Sequence, residues 1–271
     1  MRTEAEQIAR SAPDTWQGRN RLRAYLQHVV LRILFEQNVF RDLVFHGGTA
    51  LRIVHHLNRF SEDLDFHTLS SDELDDFGKL ERPLRTALEK QGYRLTITAG
   101  LEKTVKSCWL RFEEPLFGSG LSPHENAILK IKLEIDSHPP AGFKTARTAI
   151  YRYFPFAVQH HDLSSFLSGT LHAVFQRDFQ KGRDDYDLFC YLSRWPEIQP
   201  NIPYLNNALR QTTPSFMAVT EDNWRAVLLE HLEQVDFALI RDDLAPFSAH
   251  PPELALVELP TFQSLLFAAE S

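Results

Sequence analysis

The chain is poor in cysteine. Its 271 residues include only Cys108 and Cys190, too few for a disulfide framework or a four-cysteine zinc site. A reduced, cytoplasmic protein is the expectation. Long hydrophobic runs are missing too. No stretch approaches the ~18 apolar residues of a membrane helix. The opening MRTEAEQIARSAPDTW lacks the apolar centre of a signal peptide. No internal repeat and no low-complexity tract is present. Basic excess is absent as well: 29 Lys and Arg stand against 36 Asp and Glu, a formal net charge of −7. Taken alone, that speaks against a general nucleic-acid binder. What remains is globular: 43% hydrophobic and 24% charged residues exclude whole-chain disorder and coiled coil. The length suits one large domain or two modest ones.

The negative charge is unevenly spread. Residues 1–60 carry +4, 61–80 carry −6, 81–160 carry +4, 161–194 carry −1 and 195–271 carry −8. The acid sits in one short stretch and in the C-terminal tail. The rest of the first 160 residues is net basic, which permits a polyanionic partner without requiring one.

Apolar spacing of three and four predicts a helix over 20–37 (Leu22, Tyr25, Leu26, Val29, Val30, Ile33, Leu34). A short apolar run at 42–46 ends at Gly47-Gly48, predicting a strand into a tight turn. A helix over 49–57, a strand over 62–67 and a helix over 70–91 follow. Strands are expected at 93–99, 104–113 and 127–136, with one or two more over 144–158. The third alternates Leu129, Ile131, Leu133 and Ile135 with Lys130, Lys132, Glu134 and Asp136, the period of a half-buried strand. Helices are expected at 162–178, 184–194, 203–212, 221–240 and 260–269. The expected division is an α/β domain over 1–160 and a helical domain over 161–271.

The densest chemistry lies in residues 45–66, FHGGTALRIVHHLNRFSEDLDF. Glycines ending a strand and opening a helix let backbone N–H groups approach a phosphate, and the helix N-terminus favours its charge. Asp63 and Asp65, two apart on an expected strand, share a face. Paired carboxylates beside a phosphate site suit Mg²⁺. Glu134 and Asp136 could add a third carboxylate from a neighbouring strand, as a two-metal site needs. Each part has an ordinary alternative: a glycine turn, a solvated Asp-x-Asp face, cross-strand partners of basic residues. His55-His56 is a poor metal pair, since adjacent helical residues diverge by about 100°; one packed and one exposed is expected. Cys108, Trp109, Trp195 and Trp224 are expected in the core.

The run GGTAL…RFSEDLDF resembles the AbiEii/AbiGii family of nucleotidyltransferase toxins, which includes the MenT-type toxins. These belong to type IV toxin–antitoxin and abortive-infection systems and to the DNA polymerase β-like superfamily. Residues 171–188, LHAVFQRDFQKGRDDYDL, resemble a second family segment through Leu171, His172, Ala173, Arg183, Asp184, Tyr186, Asp187 and Leu188. The resemblance implies an α+β fold: a polymerase β-like core, a mixed sheet flanked by helices, then an all-helical C-terminal half completing the active site. It implies that Gly47, Gly48, Thr49, Ser61 and Arg183 bind nucleotide, and that Asp63, Asp65 and Glu134 hold two Mg²⁺ ions. Asp184 is then the active-site acid of the helical half. The implied activity is transfer of NMP from an NTP, with the tRNA 3′ end as acceptor and translation blocked. A protein hydroxyl is the alternative acceptor. An antitoxin encoded alongside is the implied partner, in a direct complex or not; no membrane is involved.

One position departs from the family. A lysine ordinarily precedes Leu-His-Ala; here it is Thr170. That loss leaves open a weakened, binding-only module, unless Lys181, Arg177 or Arg183 substitutes as the point cation. A metal-dependent phosphohydrolase is a weaker reading, for want of clustered His and Asp ligands.

Overall fold

The structure, a computed structural model, describes residues 2–69, 78–100, 105–177, 181–213, 215 and 217–267. The chain divides into two compact units. The first comprises Met1–Val54, Phe60–Pro139 and Arg147–His160. The second comprises His55–Arg59, Pro140–Ala146 and His161–Ser271.

The first unit is built on a mixed sheet. Its strands are β1 (Leu43–His46), β2 (Leu64–Thr68), β3 (Arg94–Gly100), β4 (Val105–Glu113), β5 (Leu129–Asp136), β6 (Thr145–Ile150) and β7 (Phe156–His161), in the order β3-β4-β5-β2-β1-β7-β6. The pairs β1–β2, β3–β4 and β4–β5 are antiparallel, while β2–β5 and β1–β7 are parallel. The alternation in β5 does what it predicts: Leu129, Ile131, Leu133 and Ile135 are buried, while Lys132, Glu134 and Asp136 are partly exposed.

Helices α1 (Arg2–Arg10), α2 (Thr15–Glu36), α3 (Gly47–His55), α4 (Gly78–Lys90) and α5 (Pro115–Gly118) accompany the sheet. Asp14 caps α2, accepting the Gln17 N–H at 2.7 Å. Leu22, Tyr25, Leu26, Val29, Val30, Leu31 and Leu34 of α2 are fully buried, forming the spine of this unit's core. Residues 70–77, which the sequence places in the helix that becomes α4, and the Thr104 expected in β4 lie outside the described residues.

The second unit contains α6 (Leu163–Gln176), α7 (Gly182–Arg194), α8 (Ile202–Thr212), α9 (Trp224–Leu232), α10 (Phe237–Leu244) and α11 (Leu259–Phe267). Trp224, Leu205, Leu228, Leu232, Ile240 and Phe262 fill its centre at complete burial. The single helix expected over 221–240 is two helices. Asp236 turns its side chain onto the N–H groups of Ala238 and Leu239, at 2.9 and 3.3 Å, and starts α10 afresh. Trp224 is buried as expected, whereas Trp109 and Trp195 are only partly so.

Candidate active site

The sheet brings four polar residues into one row. Ser107 on β4 faces Glu134 on β5, Glu134 faces Asp65 on β2, and Asp65 faces His46 on β1. Register partners share a face of a sheet, so four separate strands present these side chains on one surface. All four are partly exposed. Lys132, two residues before Glu134 on the same face, pairs with its carboxylate at 2.7 Å and lies 5.6 Å from the Trp109 ring. The His46 and His67 rings stand 3.7 Å apart. Burial pushes His46 down to about 3, so its imidazole is neutral at pH 7.

The glycine turn is adapted to Asp65. Gly47 has φ +71°, a conformation that disfavours any side chain. A Cβ there would lie 2.7 Å from Asp65 Oδ2. The carboxylate thus occupies the space beside the first residue of α3, where helix N–H groups lack intrahelical partners. α3 starts at Gly47 rather than at the predicted Thr49. Thr49 is fully buried, and its hydroxyl donates to the backbone oxygen of Asp63. Asp63 sits one residue ahead of β2, not on it as the alternation predicts. Ser61 is half-buried, and its backbone is clamped. Gln27 donates to the Ser61 and Glu62 carbonyls at 3.1 and 2.9 Å.

Asp65 and Glu134 offer oxygen only, the donor type that magnesium takes, with phosphate and water ordinarily completing its shell. The residues present fit that ion. Among the described residues no three His, Cys, Asp or Glu side chains form a ready-made metal cluster.

In the second unit the family segment occupies α6 and α7. Thr170 turns its hydroxyl back to the Phe166 carbonyl at 3.2 Å. Asp184, in the first turn of α7, is paired with Arg177 at 2.8 Å. The Arg183 guanidinium lies 4.0 Å from the Phe247 ring centroid. Asp187 is fully buried against Arg59: Arg59 Nε donates to Oδ1 at 2.6 Å, and a second N–H donates to Oδ2. Asp185 is also buried, and burial, aided by the neighbouring Asp184 charge, pushes it up to about 7. His55 packs against Phe166 and Trp195, while His56 is exposed, as expected for that pair.

Sequence reasoning misses Gln27, Asp185 and the pairing of Arg59 with Asp187. For Gln27 a signal exists: it is a lone amide inside the apolar stripe of α2. Asp185 carries none, because its carboxylate is one of three in Asp184-Asp185-x-Asp187, and only packing decides which are buried.

The mixed sheet with flanking helices is the fold of a nucleotidyltransferase. A Helicobacter pylori protein whose crystal structure is described as a nucleotidyltransferase matches with a TM-score of 0.52 over 91% of this chain and 96% of that chain, at 20% identity. The H. pylori protein JHP933 matches with a TM-score of 0.49 over 91% and 93%, at 19% identity. No curated protein matches the sequence. The chain belongs to the AbiEii family: residues 30–268 match the family model described as nucleotidyl transferase AbiEii toxin, type IV toxin–antitoxin system. Membership carries with it an NTP substrate and an antitoxin partner. No helix among the described residues is long and apolar enough to cross a membrane.

Proposed function

We propose that this toxin transfers a nucleotidyl group from an NTP to the 3′ end of tRNA in the cytoplasm and so stops translation. The observation that carries the reading is the Asp65 carboxylate set against Gly47 at the start of α3, with Glu134 beside it in register. That arrangement offers an anion site and oxygen ligands side by side.

In the reaction the acceptor hydroxyl oxygen bonds to the α-phosphorus as the bond to the β,γ-pyrophosphate breaks; the hydroxyl proton is released. Asp63, Asp65 and Glu134 would hold two Mg²⁺ ions, which supply a more acidic acceptor hydroxyl and charge neutralisation of the leaving pyrophosphate. Gly47 and Gly48 offer backbone N–H groups to the triphosphate, with Ser61 beside them. Thr49 supports the same segment, since its hydroxyl fixes the Asp63 backbone. Glu134, paired with Lys132 at 2.7 Å, would have to release it to hold an ion, and Lys132 would then be available to an anionic oxygen. In the helical domain over 161–271, Arg183 is assigned to nucleotide binding and Asp184 to the role of active-site acid, as the family segment they belong to implies. A protein hydroxyl is the other acceptor to test.

The test is label transfer. Purified protein, Mg²⁺, each labelled NTP and total tRNA are incubated, and RNA and protein fractions are counted. One NTP should label tRNA, and Asp63→Ala should abolish this with its melting temperature unchanged. Full transfer by folded Asp63→Ala overturns the reading. Thr170 motivates the second reading, a binding-only module, because its hydroxyl is turned to Phe166 and offers no cation. NTP binding without metal-dependent pyrophosphate release would establish that alternative.

A further inference from the structure

The acidic tail is left without a task by the chemistry above. The contacts around the start of α7 supply one. Gly182, its first residue, donates its N–H to Asp243 Oδ2 of α10 at 2.9 Å. The two helices meet so closely there that a Cβ at Gly182 would lie 2.2 Å from the Ile240 carbonyl oxygen. The next residue, Arg183, rests its guanidinium 4.0 Å from the ring centroid of Phe247, in the turn that follows α10. Further along α7, the Tyr186 hydroxyl donates to Glu253 Oε2 at 2.5 Å, and Asn58 donates to the other oxygen of Glu253 at 2.9 Å. One stretch of the tail, 240–253, therefore touches α7 at its cap, at Arg183 and at Tyr186.

A carboxylate on a first-turn N–H satisfies an otherwise orphan donor and favours the helix dipole. A guanidinium over an aromatic face loses the freedom of its long side chain. Both effects act within the second family segment, on Gly182 and on Arg183.

We propose that Asp243 and Phe247 are positioning residues for nucleotide binding. Asp243 fixes the first turn of α7, and Phe247 holds the Arg183 guanidinium in one orientation. This rests on the assignment of Arg183 to nucleotide made above, and it makes the 240–253 stretch part of the catalytic apparatus, not an appendage.

Two measurements on the full chain test it. The first needs no activity: phenylglyoxal modification of Arg183, followed by peptide mass spectrometry. Phe247→Leu keeps an apolar side chain without the ring face and should speed modification about three- to ten-fold. Phe247→Tyr should restore the wild-type rate. Equal rates in wild type and Phe247→Leu overturn the proposal. The second is steady-state transfer. Phe247→Leu should raise KM for NTP about three- to ten-fold with kcat within about two-fold. In an Arg183→Ala background the same substitution should do nothing further. Asp243→Ala should raise KM about five-fold, and Asp243→Asn, which keeps an acceptor, less. An undiminished Phe247→Leu effect in the Arg183→Ala background shows a purely structural role and overturns the proposal. A wild-type chain that transfers nothing refutes the transferase reading alone, because the modification experiment still decides whether Phe247 holds Arg183.

Discussion

The acids of the sheet and the acids of α7 are treated in opposite ways. Asp65 and Glu134 lie partly exposed on one face of a sheet, next to a lysine, a neutral histidine and a glycine turn. Asp185 and Asp187 are buried in a helix, the first held near neutrality and the second locked to Arg59. Asp65, Asp185 and Asp187 fall in family segments, and both sets read as acid-rich in the sequence. The difference teaches that spacing marks where carboxylates cluster, while solvation decides their use. A half-exposed carboxylate keeps its charge cheaply. A buried one is either paired or protonated.

Removing Arg59 should break the comparison most severely. Arg59→Ala leaves Asp187 buried without its partner, which costs about 3–5 kcal/mol. Denaturant unfolding should show a lower midpoint, whereas Asp65→Asn, on the exposed side of the contrast, should unfold like wild type. Comparable losses in the two variants would mean that the sheet acids are structural as well. Next in size is Gly47→Ala. A left-handed backbone costs a non-glycine residue about 1–2 kcal/mol, and the new methyl group collides with Asp65. Both stability and label transfer should fall, and transfer should fall further, because the collision moves a proposed metal ligand.

A further effect concerns pH. Asp185 is raised from its ordinary value to about 7, so the folded protein holds a proton that the unfolded chain gives up near pH 4. Its contribution is fully present below about pH 4 and is lost as pH rises through about 7. Asp185→Asn removes this dependence. Its melting temperature should exceed that of wild type at pH 8, and the gap should close toward pH 4. The groups facing it are Asp184, Asp187 and Arg177, so the same scan on Arg177→Ala should shift the wild-type transition upward. A gap that stays constant with pH would show that Asp185 is ionised throughout.

Much of this architecture is readable in the sequence. The alternation of Leu129 to Asp136 identifies β5 and its polar face, and the stripe from Leu22 to Leu34 identifies α2, because both patterns are local and periodic. The glycine turn is legible for the same reason. α1 is not, since it buries only Ala5 and Ala9, too small to mark a period. The break between α9 and α10 is hidden because Leu232, Val235 and Leu239 continue a helical spacing across it, and only the capping by Asp236 reveals it. Within the candidate site, Asp63 and Asp65 can be named from spacing, and Glu134 and Asp136 together from the alternation of β5; the choice of Glu134 is what the family resemblance implies. The register that sets Asp65 against Glu134 cannot, because 68 residues of chain separate them and pairing across that distance leaves no local trace. Arg59 and Asp187, 128 residues apart, are illegible on the same ground.

The Arg59–Asp187 pair also has a history in synthesis. Arg59 emerges from the ribosome long before its partner, and the His55–Arg59 and Pro140–Ala146 segments belong with a unit whose main body is made last. During translation the chain holds a guanidinium destined for complete burial with nothing yet to bury it. The helical unit cannot be cut out as residues 161–271 without orphaning Asp187, nor can it finish folding until both pieces of the pair exist.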